Sequence, residues 1–241
     1  VTFNQEEFQI RFEWGEHGVS LLAPISDVLI IVDVLSSTTG VDIAVSRGAV
    51  VYPYSGSLED AAAFANSRNA ILASRTRNQG GHYSLSPQSL LAVNRGERIV
   101  LPSPNGSVLS LGAGPTPMLA GCLRNAAAVA SAAQRIGAHI GVVAAGERWQ
   151  DDWSLRPSFE DLMGAGAIIS HLAGSHSPEA MSAVAAFRAA VSRLSDLLHQ
   201  CGSGKELIEC GFAADVDLAA QLDASNGAPI LCDGAYQLTV A

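Results

Sequence analysis

The unbroken apolar run Val28-Leu29-Ile30-Ile31-Val32 constrains this chain more than any other stretch. A strand with one solvated face alternates apolar and polar residues. A run without alternation is buried on both faces, as in the inner strands of parallel sheets. Asp33 ends the run, Ser36, Ser37, Thr38 and Thr39 follow, and Val41, Ala44 and Val45 then recur at helical spacing. The stretch therefore predicts strand, polar loop, helix. Ligands of open α/β sheets sit at the carboxyl ends of strands, in this kind of loop. Asp33 is the first carboxylate to inspect, and capping of the turn or of the next helix is its structural alternative.

The same alternation continues along the chain. Strands are predicted over Ala49–Tyr54, Ala70–Ala73, Arg98–Leu101, Met118–Cys122, Ile140–Ala144 and Pro229–Cys232. Phe8–Trp14 alternates Phe8, Ile10, Phe12 and Trp14 with polar residues, which predicts a strand near a sheet edge with one solvated face. Gly15–Pro24 reads as a connection. Helices are predicted over Ser57–Ser67 with Ser57 as N-cap, from Pro87 to about Asn94, after Ser107, over Ala126–Ile136, from about Ser158, over Pro178–His199, and over Lys205–Gly211 and Ala214–Leu222. The fold class is α/β: a three-layer α/β/α arrangement around a mainly parallel or mixed sheet. No composition break divides residues 1–241, which read as one domain whose strands ending at Val32, Leu101 and Ala144 are neighbours.

Composition narrows the partners. The net charge is −9, with thirteen arginines and a single lysine, Lys205, so no basic face suited to nucleic acid stands out. Isolated arginines can still hold a phosphate or carboxylate through their planar donor fork. The cysteines Cys122, Cys201, Cys210 and Cys232 have no C-x-x-C spacing and read as free thiols. No apolar run approaches the roughly 18 residues of a membrane span, and no charged leader precedes one, so a cytoplasmic protein is expected. A homo-oligomer is compatible with this composition.

Three polar loops after apolar strands carry the candidate chemistry. The first holds Asp33, with Ser36, Ser37 and Thr38 as hydroxyls at a helix start that can hold an anion. The second is Ser103-Pro104-Asn105-Gly106-Ser107, a turn sequence in which Asn105 and Ser107 can also meet a phosphoryl oxygen, Ser107 serving as helix N-cap. The third runs from Glu147 and Arg148 to Glu160 and Asp161 in the first turn of the next helix. There acids either complement the helix dipole or supply oxygen ligands to a hard cation such as magnesium. Arg75, Arg77, Arg148 and Arg156 all fall in predicted loops, His82 is a lone acid–base candidate, and Trp149 and Trp153 can wall a pocket.

Taken together, VDVLSSTT at Val32–Thr39, SPNGS at Ser103–Ser107, NAAAVA at Asn125–Ala130, FEDLMGAGAI at Phe159–Ile168 and LIECGFAADVDLAAQLDAS at Leu207–Ser225 resemble the 2-phosphosulfolactate phosphatase family of coenzyme M biosynthesis, in order and over nearly the whole chain. The resemblance implies a magnesium-dependent hydrolase of a phosphate monoester on a small anionic organic acid. It implies Asp33, Asn105 and Glu160 as catalytic residues and Asp33, Glu160 and Asp161 as Mg2+ ligands. Ser36, Ser37, Thr38, Arg75, Arg77, Ser107 and Arg148 would bind the substrate, a small phosphorylated metabolite. Departures from the family pattern are Ser36 in place of an arginine, Ala73-Ser74 in place of Gly-Glu before the retained Arg75, and Leu85 in place of an asparagine before Ser86-Pro87. Arg77 is the residue placed to compensate. Two other readings stay open: a hydrolase of a different ester or anhydride, and a non-catalytic binder of small anions.

Overall fold

The computed structural model describes residues 3–77 and 83–238. In chain order its elements are β1 (Ile10–Trp14), α1 (Gly15–Leu22), β2 (Val28–Val32), α2 (Ser37–Ser46), β3 (Val50–Tyr54), α3 (Leu58–Ser67), β4 (Ile71–Leu72), α4 (Pro87–Leu90), β5 (Arg98–Pro102) and α5 (Gly106–Gly112). There follow β6 (Met118–Gly121), α6 (Ala126–Ile136), β7 (Ile140–Ala144), β8 (Glu147–Arg148), β9 (Leu155–Arg156), α7 (Phe159–Ile169), α8 (Pro178–Ala190), α9 (Leu194–Gln200), α10 (Gly202–Glu209), α11 (Ala213–Ala219), β10 (Pro229–Cys232) and β11 (Ala235–Leu238).

A mixed sheet in the order β1-β7-β2-β6-β10-β11-β3-β5-β4 organises the chain. The inner strand β2 explains its own sequence. Val28, Ile30 and Val32 enter a core with residues of α6, α7 and α8, whereas Leu29 and Ile31 enter a core with residues of α1 and α5. Helices thus cover both faces, and all five β2 side chains are buried. Each contributes about 1.5–3 kcal/mol of hydrophobic stabilisation, so an interior alternation would have been selected against.

The sheet has two parallel parts, β1-β7-β2-β6 and β3-β5-β4, joined by the antiparallel hairpin β10-β11. Strands β2 and β7 are adjacent as predicted, but β5 is separated from β2 by β6, β10, β11 and β3. Sequence reasoning missed β11, a short strand of mixed polarity, and with it the inserted hairpin. Nevertheless α5, which follows β5, packs against β2 as well as β3, and so brings the loop after β5 to the end of β2.

Other departures are local. Gly15–Leu22 is a helix rather than a connection. The edge position of β1 is as predicted, but its polar face is covered: Arg11 is buried and donates to the carbonyls of Gln5, Ile25 and Glu6. The long helix predicted over Pro178–His199 is divided by a 3-10 turn at Val191–Arg193. Ser57 does cap α3, accepting the Asp60 amide at 3.2 Å. His82 lies outside the described residues. Among the described residues, no helix is long and apolar enough to cross a membrane.

Candidate active site

The loop after β2 is held by its own hydroxyls. The Thr38 side chain donates to the Asp33 carbonyl at 2.8 Å and accepts the Asp33 amide at 3.0 Å, and Thr39 donates to the Val34 carbonyl at 2.7 Å. These bonds turn the chain from strand into α2 and leave the Asp33 carboxylate beside the first residue of that helix, with Oδ1 accepting the Ser37 amide at 3.2 Å.

The loop after β5 closes on the same point. A Cβ at Gly106 would lie 2.4 Å from Ser37 Oγ and 2.8 Å from Asp33 Oδ2. Only glycine permits this approach, which explains the Asn-Gly step. The neighbouring Asn105 then donates from Nδ2 to Glu147 Oε2 at 3.0 Å.

Glu147 is the acid to which sequence reasoning assigned no role, although it follows the apolar strand β7 as Asp33 follows β2. It occupies the first position of the hairpin β8–β9 and pairs in register with Arg156. Gly146 before it has φ +66, and a Cβ there would meet Leu155 at 2.8 Å and the Arg156 carbonyl at 2.9 Å. Glu160 lies in the first turn of α7, buried, and its Oε2 is 3.4 Å from Cys201 Sγ.

Electrostatics ties these groups together. Burial, then the charge of Glu160, pushes the Asp33 carboxyl above its usual range. Burial, then Asp33 and Glu160, pushes Glu147 up to about 7. Mutual repulsion of this kind marks carboxylates that share one region. Asp33, Asn105, Glu147 and Glu160 come from four separate segments of the chain and converge there.

A cavity of about 770 Å³ opens over this region, lined by Asn105 and Glu147 and by Arg75, Arg148, Arg156, Trp149 and Trp153 among others. Arg75 is exposed and has no ion-pair partner among the described residues. Arg148 lies 2.5 Å from Glu16. Arg156, which the sequence placed in a loop without a site role, lies over the Trp149 ring at 5.7 Å.

Several expected substrate contacts are committed to the protein instead. The Ser36 hydroxyl donates to the Leu85 carbonyl at 3.2 Å and is bonded by Arg77. Arg77 also pairs with buried Asp215 at 2.5 Å and donates to Leu85, so it ties the segment before α4 to α11. Arg77 still acts on the site at a distance, lowering the proton affinity of Asp33. Ser107 is the second residue of α5, not its N-cap. Its hydroxyl accepts the amides of Tyr54 and Ser103 and donates to Leu101. Thr38 is occupied as described, and Ser37 contributes its amide.

Asp161 has similar employment. Its Oδ1 accepts the Val34 amide at 2.7 Å, and its Oδ2 accepts the Gly146 amide at 2.9 Å and the Ser158 hydroxyl at 2.8 Å. It clamps the loops after β2 and β7 together. Among the described residues no three His, Cys, Asp or Glu side chains stand close enough to hold an ion jointly. The donor set suits a cation that keeps most of its water and takes one or two carboxylates, as magnesium does. Crowded carboxylates with raised proton affinity, Asp33 and Glu147, beside buried Glu160 fit that requirement, and the saturated Asp161 does not.

Comparison with known proteins agrees with this architecture. The family model described as 2-phosphosulpholactate phosphatase matches residues 19–234. The 2-phosphosulfolactate phosphatase of Methanothermobacter thermautotrophicus is 29% identical over 215 residues, covering 88% of this chain and 90% of its own. Proteins named "Probable 2-phosphosulfolactate phosphatase" from Symbiobacterium thermophilum and Gloeobacter violaceus are each 30% identical, over 220 and 211 residues. They cover 86% and 84% of this chain and 92% and 87% of their own.

Proposed function

This chain belongs to the 2-phosphosulfolactate phosphatase family, and from that premise we propose that it uses Asp33, Asn105, Glu147 and Glu160 to hydrolyse the phosphate monoester of an organic acid, with magnesium as cofactor. It is a phosphatase, a phosphoric monoester hydrolase. The observation that carries the site assignment is the convergence of three carboxylates, from the ends of β2 and β7 and the start of α7, close enough to feel one another's charge, with Glu147 lining a cavity that also exposes arginines.

In this reading Arg75 and Arg148 bind the acid group of the substrate, and the Asn105 amide orients Glu147 and faces the transferred phosphoryl group. Asp33 and Glu160 hold magnesium, which when bound offsets the charge developing on the phosphoryl oxygens. Asp33 orients the attacking water and draws its proton. Its orientation is fixed before substrate arrives, because Ser37 and Gly106 hold it from two helix starts. Pre-set orientation of this kind lowers the barrier without reorganisation during the reaction.

The Ser36–Arg77 bond supports a substrate change relative to the family pattern. A guanidinium reaches the loop after β2, but from the segment preceding α4 and already paired with Asp215. It is less available as an anion clamp. Losing one charged hydrogen bond, worth roughly 1.5–3 kcal/mol, lowers efficiency by about one to two powers of ten. The test is kcat/KM with magnesium for 2-phosphosulfolactate and a panel of phosphorylated two- and three-carbon acids. Preference for another acid is expected, and a clear preference for phosphosulfolactate would reject the altered specificity. Absence of phosphate release from every member would reject the proposed reaction.

A further inference from the structure

After the acids and arginines have roles, Trp149 and Trp153 remain. They lie in the hairpin that also carries Glu147, and are 52% and 73% exposed. Hydrogen bonds from the Trp149 amide to the Ser154 carbonyl and from the Trp153 amide to the Trp149 carbonyl, both 3.0 Å, fix the tip. Trp153 holds φ +59, a left-handed conformation in which a bulky side chain is strained and asparagine or glycine would fit better. Turn formation therefore does not explain an indole at this position. Among the described residues the Trp153 ring has no aromatic or cationic partner, whereas Trp149 has Arg156.

Both indoles line the same cavity as Asn105 and Glu147. At about 770 Å³ that cavity lies in the range of sites for drug-sized ligands, about 300–1,000 Å³. A three-carbon acid carrying one phosphoryl and one sulfonate group fills a small part of it and has no surface for an indole to cover. The lining combines polar Asn105 and half-buried Glu147 with two solvent-exposed tryptophans, which matches a ligand with a phosphoryl group at one end and a flat apolar body at the other.

We propose that Trp149 and Trp153 bind an aromatic ring on the leaving group, so that the preferred substrates are phosphate monoesters of ring-bearing acids. The inference rests on the reading of this cavity as the phosphatase site. In the reaction a water oxygen forms the new bond to phosphorus. The ester P–O bond breaks with its electron pair going to the ring-side oxygen, and the proton lost by the water ends on that oxygen. An aryl oxide is stable enough to leave with little help from a side-chain acid.

The experiment compares 4-carboxyphenyl phosphate with 2-phosphoglycerate in the full-length protein, for wild type, Trp153→Asn and Trp153→Phe. Asparagine tolerates the left-handed backbone, so the first variant removes the ring without added strain. The wild type should favour the aryl substrate. Trp153→Asn should lower the aryl-to-glycerate ratio of kcat/KM by roughly tenfold, mainly through KM, and Trp153→Phe should restore most of it. Equal or better use of phosphoglycerate, with a ratio indifferent to Trp153, overturns the inference. So does a Trp153→Asn variant that dissociates an oligomer in sedimentation while keeping the wild-type ratio, since the hairpin is then a subunit contact. If neither ester releases phosphate, the phosphatase reading of the cavity fails instead. Binding of 4-carboxybenzylphosphonate by calorimetry then decides the ring site: binding lost in Trp153→Asn upholds it, and no binding to wild type removes it.

Discussion

The Val34 backbone amide donates to Asp161 Oδ1 across 2.7 Å, linking residues 127 positions apart. Through its other oxygen the same carboxylate holds the Gly146 amide at 2.9 Å. The acid that sequence reasoning placed on the metal is thus the fastening between two site loops.

Replacing Asp161 with asparagine sets a side-chain N–H2 against backbone N–H donors. With a buried charge-assisted network broken, the variant should lose about 2–4 kcal/mol of stability, together with most activity. Urea unfolding followed by circular dichroism measures it. Wild-type stability with activity abolished would instead make Asp161 a direct participant in the chemistry.

Asp33→Asn should behave in the opposite way, with turnover falling roughly a thousandfold or more and the fold intact. Asp33 is buried, and its carboxyl is raised to about 6 in the folded chain. Its contribution to stability is therefore fully present below the unfolded value and lost as pH rises through about 6. Between pH 3 and pH 8 the variant should lose less stability than wild type, because asparagine stays neutral, whereas the cost of its N–H2 facing the Ser37 or Gly106 amide is the same at both pH values. Phosphate release and thermal melts at the two pH values check both parts. An active variant would remove Asp33 from the mechanism.

Glu147 makes the same argument over a neighbouring window. Its folded value of about 7 lies above that of an unfolded glutamate, so the folded chain binds its proton more tightly. In metal-free protein, stability should fall as pH rises from about 4.5 to about 7. Glu147→Gln should flatten that slope. Melting temperatures at half-unit steps for both proteins give the comparison, and parallel curves would contradict the shared electrostatics of Glu147, Asp33 and Glu160.

A cation bound among these acids competes with their protons. Magnesium should therefore raise the melting temperature more at pH 8 than at pH 5. A concentration a hundredfold above Kd stabilises by about 2.7 kcal/mol. Chelator-treated protein should be inactive and regain activity on magnesium addition. The increment should be much reduced in Glu160→Gln and largely retained in Asp215→Asn, whose carboxylate pairs with Arg77 rather than with the site acids. Equal stabilisation of wild type and Glu160→Gln would place the cation elsewhere.

What the sequence determined by itself is the inner strands and the loops that follow them. Val28–Val32, Ile99–Leu101 and Ile140–Ala144 are apolar without alternation, and burial on both faces of a sheet is what such runs require. Asp33, Asn105 and Glu160 stand out for the same local reason: each is a polar residue just after a strand or at a helix start. Tertiary structure alone decided how those groups are used. The hydroxyls of Ser36 and Ser107 and the carboxylate of Asp161 were candidates by residue type, yet each is occupied by backbone groups from segments brought near only by folding. Glu147 shows the converse, since its raised proton affinity comes from burial and then from the charges of Asp33 and Glu160, which other segments bring beside it. Local pattern follows from the periodicity of burial along one segment, whereas hydrogen-bond occupancy and charge coupling depend on which segments meet, and no single segment encodes that.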